Sequence, residues 1–243
     1  FVALSMLWLS AFHFFARWIH WEGDEQNTLG AIWEYQFPTM ILDMAVFFVV
    51  GRTPQVDTLE FVLVMMLGCI YTSYSYTWTF LDHSFTLYEM HCRWPVSLWL
   101  YALGIVLIGV ALAVFHVRFA FHRKLLLSKL LEVTFVTLAV LGPNISSPYL
   151  HLHHWLAGWL VGMHLSFKTK WWSRVPQSWC WGLYINGIAT YGRDPVLVCG
   201  YVDYLARDLH CGATSALELV GLIVEGDDPA ANWRNCSASG YHP

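Results

Sequence analysis

The chain has 243 residues, of which 57% are hydrophobic, 17% aromatic and only 12% charged, about half the charged share near 25% of a soluble globular domain. That composition excludes an ordinary water-facing domain and points to lipid as the main surroundings. The formal net charge of −4, with histidine neutral, offers no basic surface and sets nucleic acid aside as a partner.

A helix crossing a bilayer needs ~20 mostly apolar residues, and the chain holds about six to seven such runs. Residues 1–19 form the first, with Trp18 and Trp21 as interfacial anchors. The run begins at Phe1 itself without a basic leader, so the sequence reads as a processed or partial chain. An acidic loop with His20, Glu22, Asp24 and Glu25 follows. The second span, 31–51, contains Glu34, Pro38 and Asp43. A carboxylate at the depth of Asp43 is costly, so it marks either an intramembrane polar site or a hydrogen-bonded tie between helices. The third span, 59–81, ends in a polar aromatic stretch before a loop with Asp82, His83, Glu89, His91 and Cys92.

Residues 95–117 form the most apolar span, followed by a basic cluster of Arg118, His122, Arg123 and Lys124. The fifth span, 125–142, carries Lys129 and Glu132 at i, i+3, placed to pair or to snorkel. The sixth, 147–167, opens with Ser147 as N-cap and Pro148 at the first helical position. His151 and His154 would share a face of that helix, with His153 pointing elsewhere. Gly158 and Gly162 form a small-xxx-small pair for close helix contact in a bilayer, so this reads as an interior helix. Lys168, Lys170 and Arg174 follow. Residues 176–192 make a short seventh span or a re-entrant or surface helix. The apolar piece 213–224 is too short to cross and contains Glu218.

The expected fold is therefore all-α: a polytopic transmembrane bundle over residues 1–192 with a short polar, non-cytoplasmic C-terminal tail over 193–243. Basic loops follow the second, fourth and sixth spans, which places those loops in the cytoplasm. The sequons at Asn144 and Asn235 then fall on the far side as glycosylation candidates. Cys92, Cys199, Cys211 and Cys236 fall there too, where disulfides persist. A secretory-pathway or plasma membrane is favoured over an organellar one.

This topology gathers His20, His83, His91, His151, His153 and His154 on one membrane face, with Asp82 and other carboxylates. Neutral imidazoles with a carboxylate suit zinc or another transition metal. The metal candidates are His151, His153, His154, His83, His91 and Asp82. Water on such a metal could attack a lipid ester or amide. The bland alternative is a set of interfacial hydrogen-bonding histidines. Membrane hydrolases of the alkaline ceramidase and adiponectin-receptor type need a His-x-x-x-His pair, which is missing. Fatty-acid hydroxylases and desaturases need several histidine boxes, and only His151-Leu152-His153-His154 approximates one. Haem could use His151 and His164, with His116 nearby, but the second histidine pair on a partner helix is lacking.

The box His151, His153, His154, Trp155 and the later stretch Gly182, Leu183, Asn186, Gly187, Ile188, Ala189, Gly192 resemble the membrane region of fungal LCCL-domain-containing membrane proteins and related eukaryotic multi-span proteins. The resemblance covers about fifty residues and implies a polytopic membrane protein, with no activity attached. The two motifs flank one cytoplasmic loop and would form an antiparallel helix pair. Gly158 and Gly187 are then placed for close contact, and Asn186 needs a hydrogen-bond partner. The leading functional expectation is a membrane scaffold, anchor or accessory subunit, with the lipid bilayer and other membrane-protein subunits as partners and a histidine metal site as a candidate feature. A metal-dependent hydrolase of lipid-like substrates is the alternative, and a haem redox protein the second.

Overall fold

The structure, a computed structural model, describes residues 1–21, 28–53, 58–75, 77–81, 94–141 and 153–193. Among them there is helix and no strand. The helices are α1 (Val2–Trp18), α2 (Phe37–Gly51), α3 (Leu59–Ser75), α4 (Val96–His122), α5 (Leu126–Leu141), α6 (His154–His164) and α7 (Trp171–Tyr191). A helical turn at Leu29–Ala31 and a π-helical turn at Ile32–Gln36 lead into α2, with the Thr28 side chain accepting from the Ala31 N–H as cap.

The core is built around α7. Its residues 181, 182 and 184–190 are all buried, so that half has no free face. Helix α1 turns Ser5, Met6, Leu9, Phe12, His13 and Ala16 inward, the three- and four-residue spacing of one helix face. The inward set of α2 is Met40, Asp43, Met44, Phe47 and Gly51. Glycines let the backbones close up. A Cβ on Gly182 would collide with the Met65 carbonyl oxygen and stand 3.2 Å from Gly68 Cα, so α3 and α7 touch backbone to backbone. On the other side of α7, a Cβ on Gly158 would lie 2.7 Å from the Cys180 carbonyl oxygen, and one on Gly187 would lie 2.7 Å from Trp155 Cβ.

The hairpin of α4 and α5 is different. Only Leu98 and Ala120 are buried in α4, and no residue of α5 is. It is stitched to the core by Tyr71 to Tyr101 through their hydroxyls at 3.2 Å, and by His116 Nε2 to Ser173 Oγ at 3.0 Å. A turn at Lys124, with φ of 57°, joins the two helices.

Contacts sort the helix ends into two groups. Arg174 with Glu60, Arg52 with Glu132 and Lys129 with Ser166 meet at one end. His13 with Ala189, Asn186 with Ser73 and Arg193 with Gln36 meet at the other.

Three sequence expectations need revision, and the span count is met in part. Of about six to seven expected spans, one helix among the described residues, Val96–His122, is long and apolar enough to cross a membrane, while Phe37–Gly51 and Leu59–Ser75 are apolar but shorter. The helix expected from residue 147 is described only from His154, with His153 extended before it as N-cap (φ −72°, ψ 148°). Its 11 residues rise only ~16 Å, short of a bilayer's ~30 Å. Arg118 and His122, expected in a loop, belong to α4 because its helix runs on to His122. The short seventh run is longer than expected, starting at Trp171 and carrying Pro176 inside the helix.

Candidate functional site

Asp43 stands on the inward face of α2 and is 7% exposed. A buried carboxylate needs a counter-charge and hydrogen-bond donors. Arg193 supplies both. Helix α7 is capped by Gly192, whose φ of 83° suits a residue without Cβ, and Arg193 follows it directly. Arg193 Nε donates to Asp43 Oδ2 at 2.7 Å and Nη2 donates to Oδ1 at 3.2 Å. This two-toothed geometry is the stronger form of the pair.

The surroundings hold both charges in place. Tyr184 donates its hydroxyl to Asp43 Oδ2 at 3.2 Å, and Trp159 Nε1 donates to the Asp43 carbonyl at 2.8 Å. The Arg193 backbone N–H donates to Gln36 Oε1 at 2.8 Å, and the guanidinium lies 4.8 Å from the Trp155 ring centroid, within cation–π range. Burial opposes the positive charge on Arg193, and hydrogen bonding and attraction to Asp43 more than offset it, so its pKa is raised. Gln36 closes the π-helical turn, a wider turn that recurs at functional positions.

Next to this seam lie the histidines. The His154 ring meets Tyr191 edge-on at 5.8 Å and rests against Gly187, where an added Cβ would come within 2.8 Å of Nε2. His13 Nδ1 donates to the Ala189 carbonyl at 2.7 Å, which requires the proton on that nitrogen. Asn186, fully buried, donates from Nδ2 to the Cys69 carbonyl at 3.1 Å and to Ser73 Oγ at 2.6 Å, so α3 satisfies both of its amide N–H groups.

The predicted site residues therefore separate. Asp43, Gly158, Gly162, Asn186, Gly187, His153 and His154 are described, all at the contacts of α6 and α7 with their neighbours or on α2. His83, His91, Asp82 and His151 lie outside the described residues, as do Asn144, Asn235, Cys92, Cys199, Cys211 and Cys236. Among the described residues no group of three or more His, Cys, Asp or Glu is placed to hold a metal, and Cys69 and Cys180 are free thiols. His116 and His164 of the haem reading stand toward the basic end, where His116 stacks on Phe167 at 5.3 Å.

Sequence reasoning missed Arg193, Tyr184, Gln36 and His13. The available signal was Asp43 itself, a carboxylate without a nearby cation, together with an Arg immediately after a helix-ending Gly. The arrangement is a neutral, tightly bonded polar seam that locks the end of α7 onto α2. No family model matches the chain, and neither a curated protein nor a solved structure matches it.

Proposed function

We propose that the chain is a multi-span integral membrane protein that acts as a scaffold or accessory subunit, offering its α4–α5 hairpin to lipid and to neighbouring membrane helices. The observation that carries this reading is the outer surface of α4. Leu100, Leu103, Ile105, Ile108, Val110 and Phe115 are each more than 45% exposed, and at helical spacing they spread over more than half of the circumference. The 27 residues rise ~40 Å, enough for the ~30 Å hydrocarbon core with some tilt. In water such a surface would aggregate; in a bilayer it costs nothing.

The segregation of charge supports the same surroundings. Arg52, Arg118, Arg123, Lys124, Lys168, Lys170 and Arg174 gather at one end of the helices, the arrangement expected of a cytoplasmic face. Six to seven crossings follow if the shorter core helices cross as a packed group around α7. A neighbour rather than lipid alone is supported by Gly109 and Ala113, an exposed small-xxx-small pair on α4. Nothing lies within 4 Å of a Cβ built on Gly109, and small residues are where membrane helices approach one another. The proposal keeps the likeness of the His-box and Asn-Gly-Ile-Ala stretch to multi-span membrane regions as its suggested kinship.

The test is a photo-crosslinking residue at Ile105 or Ile108 of the full chain in its native membrane. The reading expects a discrete protein adduct that disappears with Gly109→Leu while the thermal stability of the purified chain is unchanged. Adducts to lipid alone would overturn the subunit role. Adducts to water-soluble quencher would overturn the membrane role.

A further inference from the structure

At the basic end of the core, where α2 stops and α3 and α7 start, a shallow cleft opens between the helix ends. Its walls include Arg52, Thr53, Glu60, Lys168, Arg174 and Gln177. Two of its cations are already braced: Arg174 donates twice to Glu60, at 3.1 and 2.8 Å, and Arg52 holds Glu132 at 3.0 Å. Lys168 makes no ion pair among the described residues. Lys129 also pairs with Glu132, so Arg52, Lys129, Lys168 and Arg174 face Glu60 and Glu132 and leave two positive charges in excess. A braced arginine still has donors left over, since guanidinium carries five N–H groups.

Thr53 is the independent sign that something polar belongs here. It lines the cleft, is 3% exposed, and its Oγ1 has no hydrogen-bond partner among the described residues. Buried hydroxyls are nearly always satisfied, so an orphan on the wall of a cationic cleft points to a missing acceptor. An acceptor with several charged oxygens, able to meet a guanidinium, an ammonium and a hydroxyl together, is a phosphate group.

What the phosphate is attached to follows from the helix below it. On α3, Glu60, Leu63 and Leu67 share one face, and Leu63 and Leu67 are 54% and 57% exposed. The polar cleft therefore sits at the head of an open apolar track running away from the basic end. We infer that the cleft is a headgroup site for an anionic phospholipid with a phosphate monoester, its acyl chains lying along the Leu63 and Leu67 face of α3. This rests on the membrane reading above and goes beyond it in naming a lipid class and its site.

The test uses the full chain in phosphatidylcholine discs, titrated with fluorescent short-chain phosphatidate, with identically labelled phosphatidylcholine and with inorganic phosphate as competitor. Saturable phosphatidate binding is expected, with no comparable binding of labelled phosphatidylcholine and no displacement by inorganic phosphate at the lipid's own concentration. Lys168→Gln weakens it by about fivefold, the effect of one basic side chain near an anionic lipid. Thr53→Val also weakens it, while Arg118→Gln, at the same end but outside the cleft, leaves it unchanged. Equal binding of both lipids, or equal affinity of all three variants, would overturn the site. Displacement by inorganic phosphate as effective as by lipid would overturn the lipid as its source. Failure of the chain to enter the discs would sink the membrane reading and this inference with it, whereas entry without lipid selectivity sinks the inference alone.

Discussion

Gly182 and Gly68 face each other across the contact of α3 and α7, where a single added methyl group on Gly182 would strike the Met65 carbonyl; Gly104 and Gly109 on α4 face nothing within 4 Å. The same residue thus serves opposite ends in two regions of the molecule. In the core, glycine lets backbones approach until polar side chains such as Asn186 can reach the neighbouring helix. On the hairpin, it leaves a dent open to whatever lies outside. Among the described residues the core is packed on all sides, and the hairpin is not.

The ion pairs sharpen that contrast most. Asp43 with Arg193 is nearly enclosed, its side chains 10% and 24% exposed, whereas Arg52 with Glu132, which ties α5 to the core, has its arginine 50% exposed. Arg193→Ala strands a buried carboxylate and is expected to cost about 3 kcal/mol, read by thermal or denaturant unfolding of the purified chain. Arg52→Ala should cost ~1 kcal/mol or less. Equal losses would break the distinction between a closed core and a loosely held hairpin. Replacing Asp43 and Arg193 together by leucines should recover most of the single-variant loss, since the cost lies in the unpaired charge.

Overpacking comes next. Gly182→Ala pushes on backbone rather than on a side chain that can move, and should cost ~2 kcal/mol. Gly104→Ala should be neutral or add up to ~1 kcal/mol through helix propensity. The same unfolding measurement checks both, and a loss at Gly104 would mean that α4 packs against something within the chain.

Removing the buried amide is the smallest of the core effects. Asn186→Ala strands the Ser73 hydroxyl and should cost ~1 kcal/mol. Asn186→Asp should cost more, because it replaces two donors with an acceptor beside the Cys69 carbonyl. If Asn186→Asp is the milder variant, the hydrogen bonds assigned to its Nδ2 are wrong.

How far the sequence revealed all this depends on what each residue faces. The most apolar stretch is among those least buried by protein: α4 stands out in hydropathy, yet only its Leu98 and Ala120 are buried. The organiser, α7, conversely reads as a weak span. Gln177, Ser178, Asn186 and Thr190 lower its apolarity, and each bonds inside the bundle, to Gly51, Arg174, Ser73 and a carbonyl of its own helix respectively. Hydropathy does not rank centrality in the bundle.

Asp43 was legible as a site because a carboxylate at that depth demands an explanation. Its partner was not, because Arg193 comes 150 positions later and opens a polar stretch that reads as tail. The small residues Gly158 and Gly162 stood out by spacing, yet spacing could not say that Gly158 meets Leu183 and Gly162 meets Phe47 and Cys180. The histidine cluster was legible only as composition. His153 and His154 are adjacent in sequence, but the helix begins between them, so the face geometry expected of a continuous helix does not apply to His153.

The account depends above all on what surrounds the hairpin. Nitroxide labels placed singly at Leu103, Ile105, Val106 and Ile108 of the full chain in bilayers would report collisions with oxygen, which enriches in lipid, and with a water-soluble nickel chelate. The account predicts high oxygen and low nickel accessibility at three or more of these positions, with any remaining one shielded from both by a neighbouring helix. High nickel accessibility around the whole helix would contradict it.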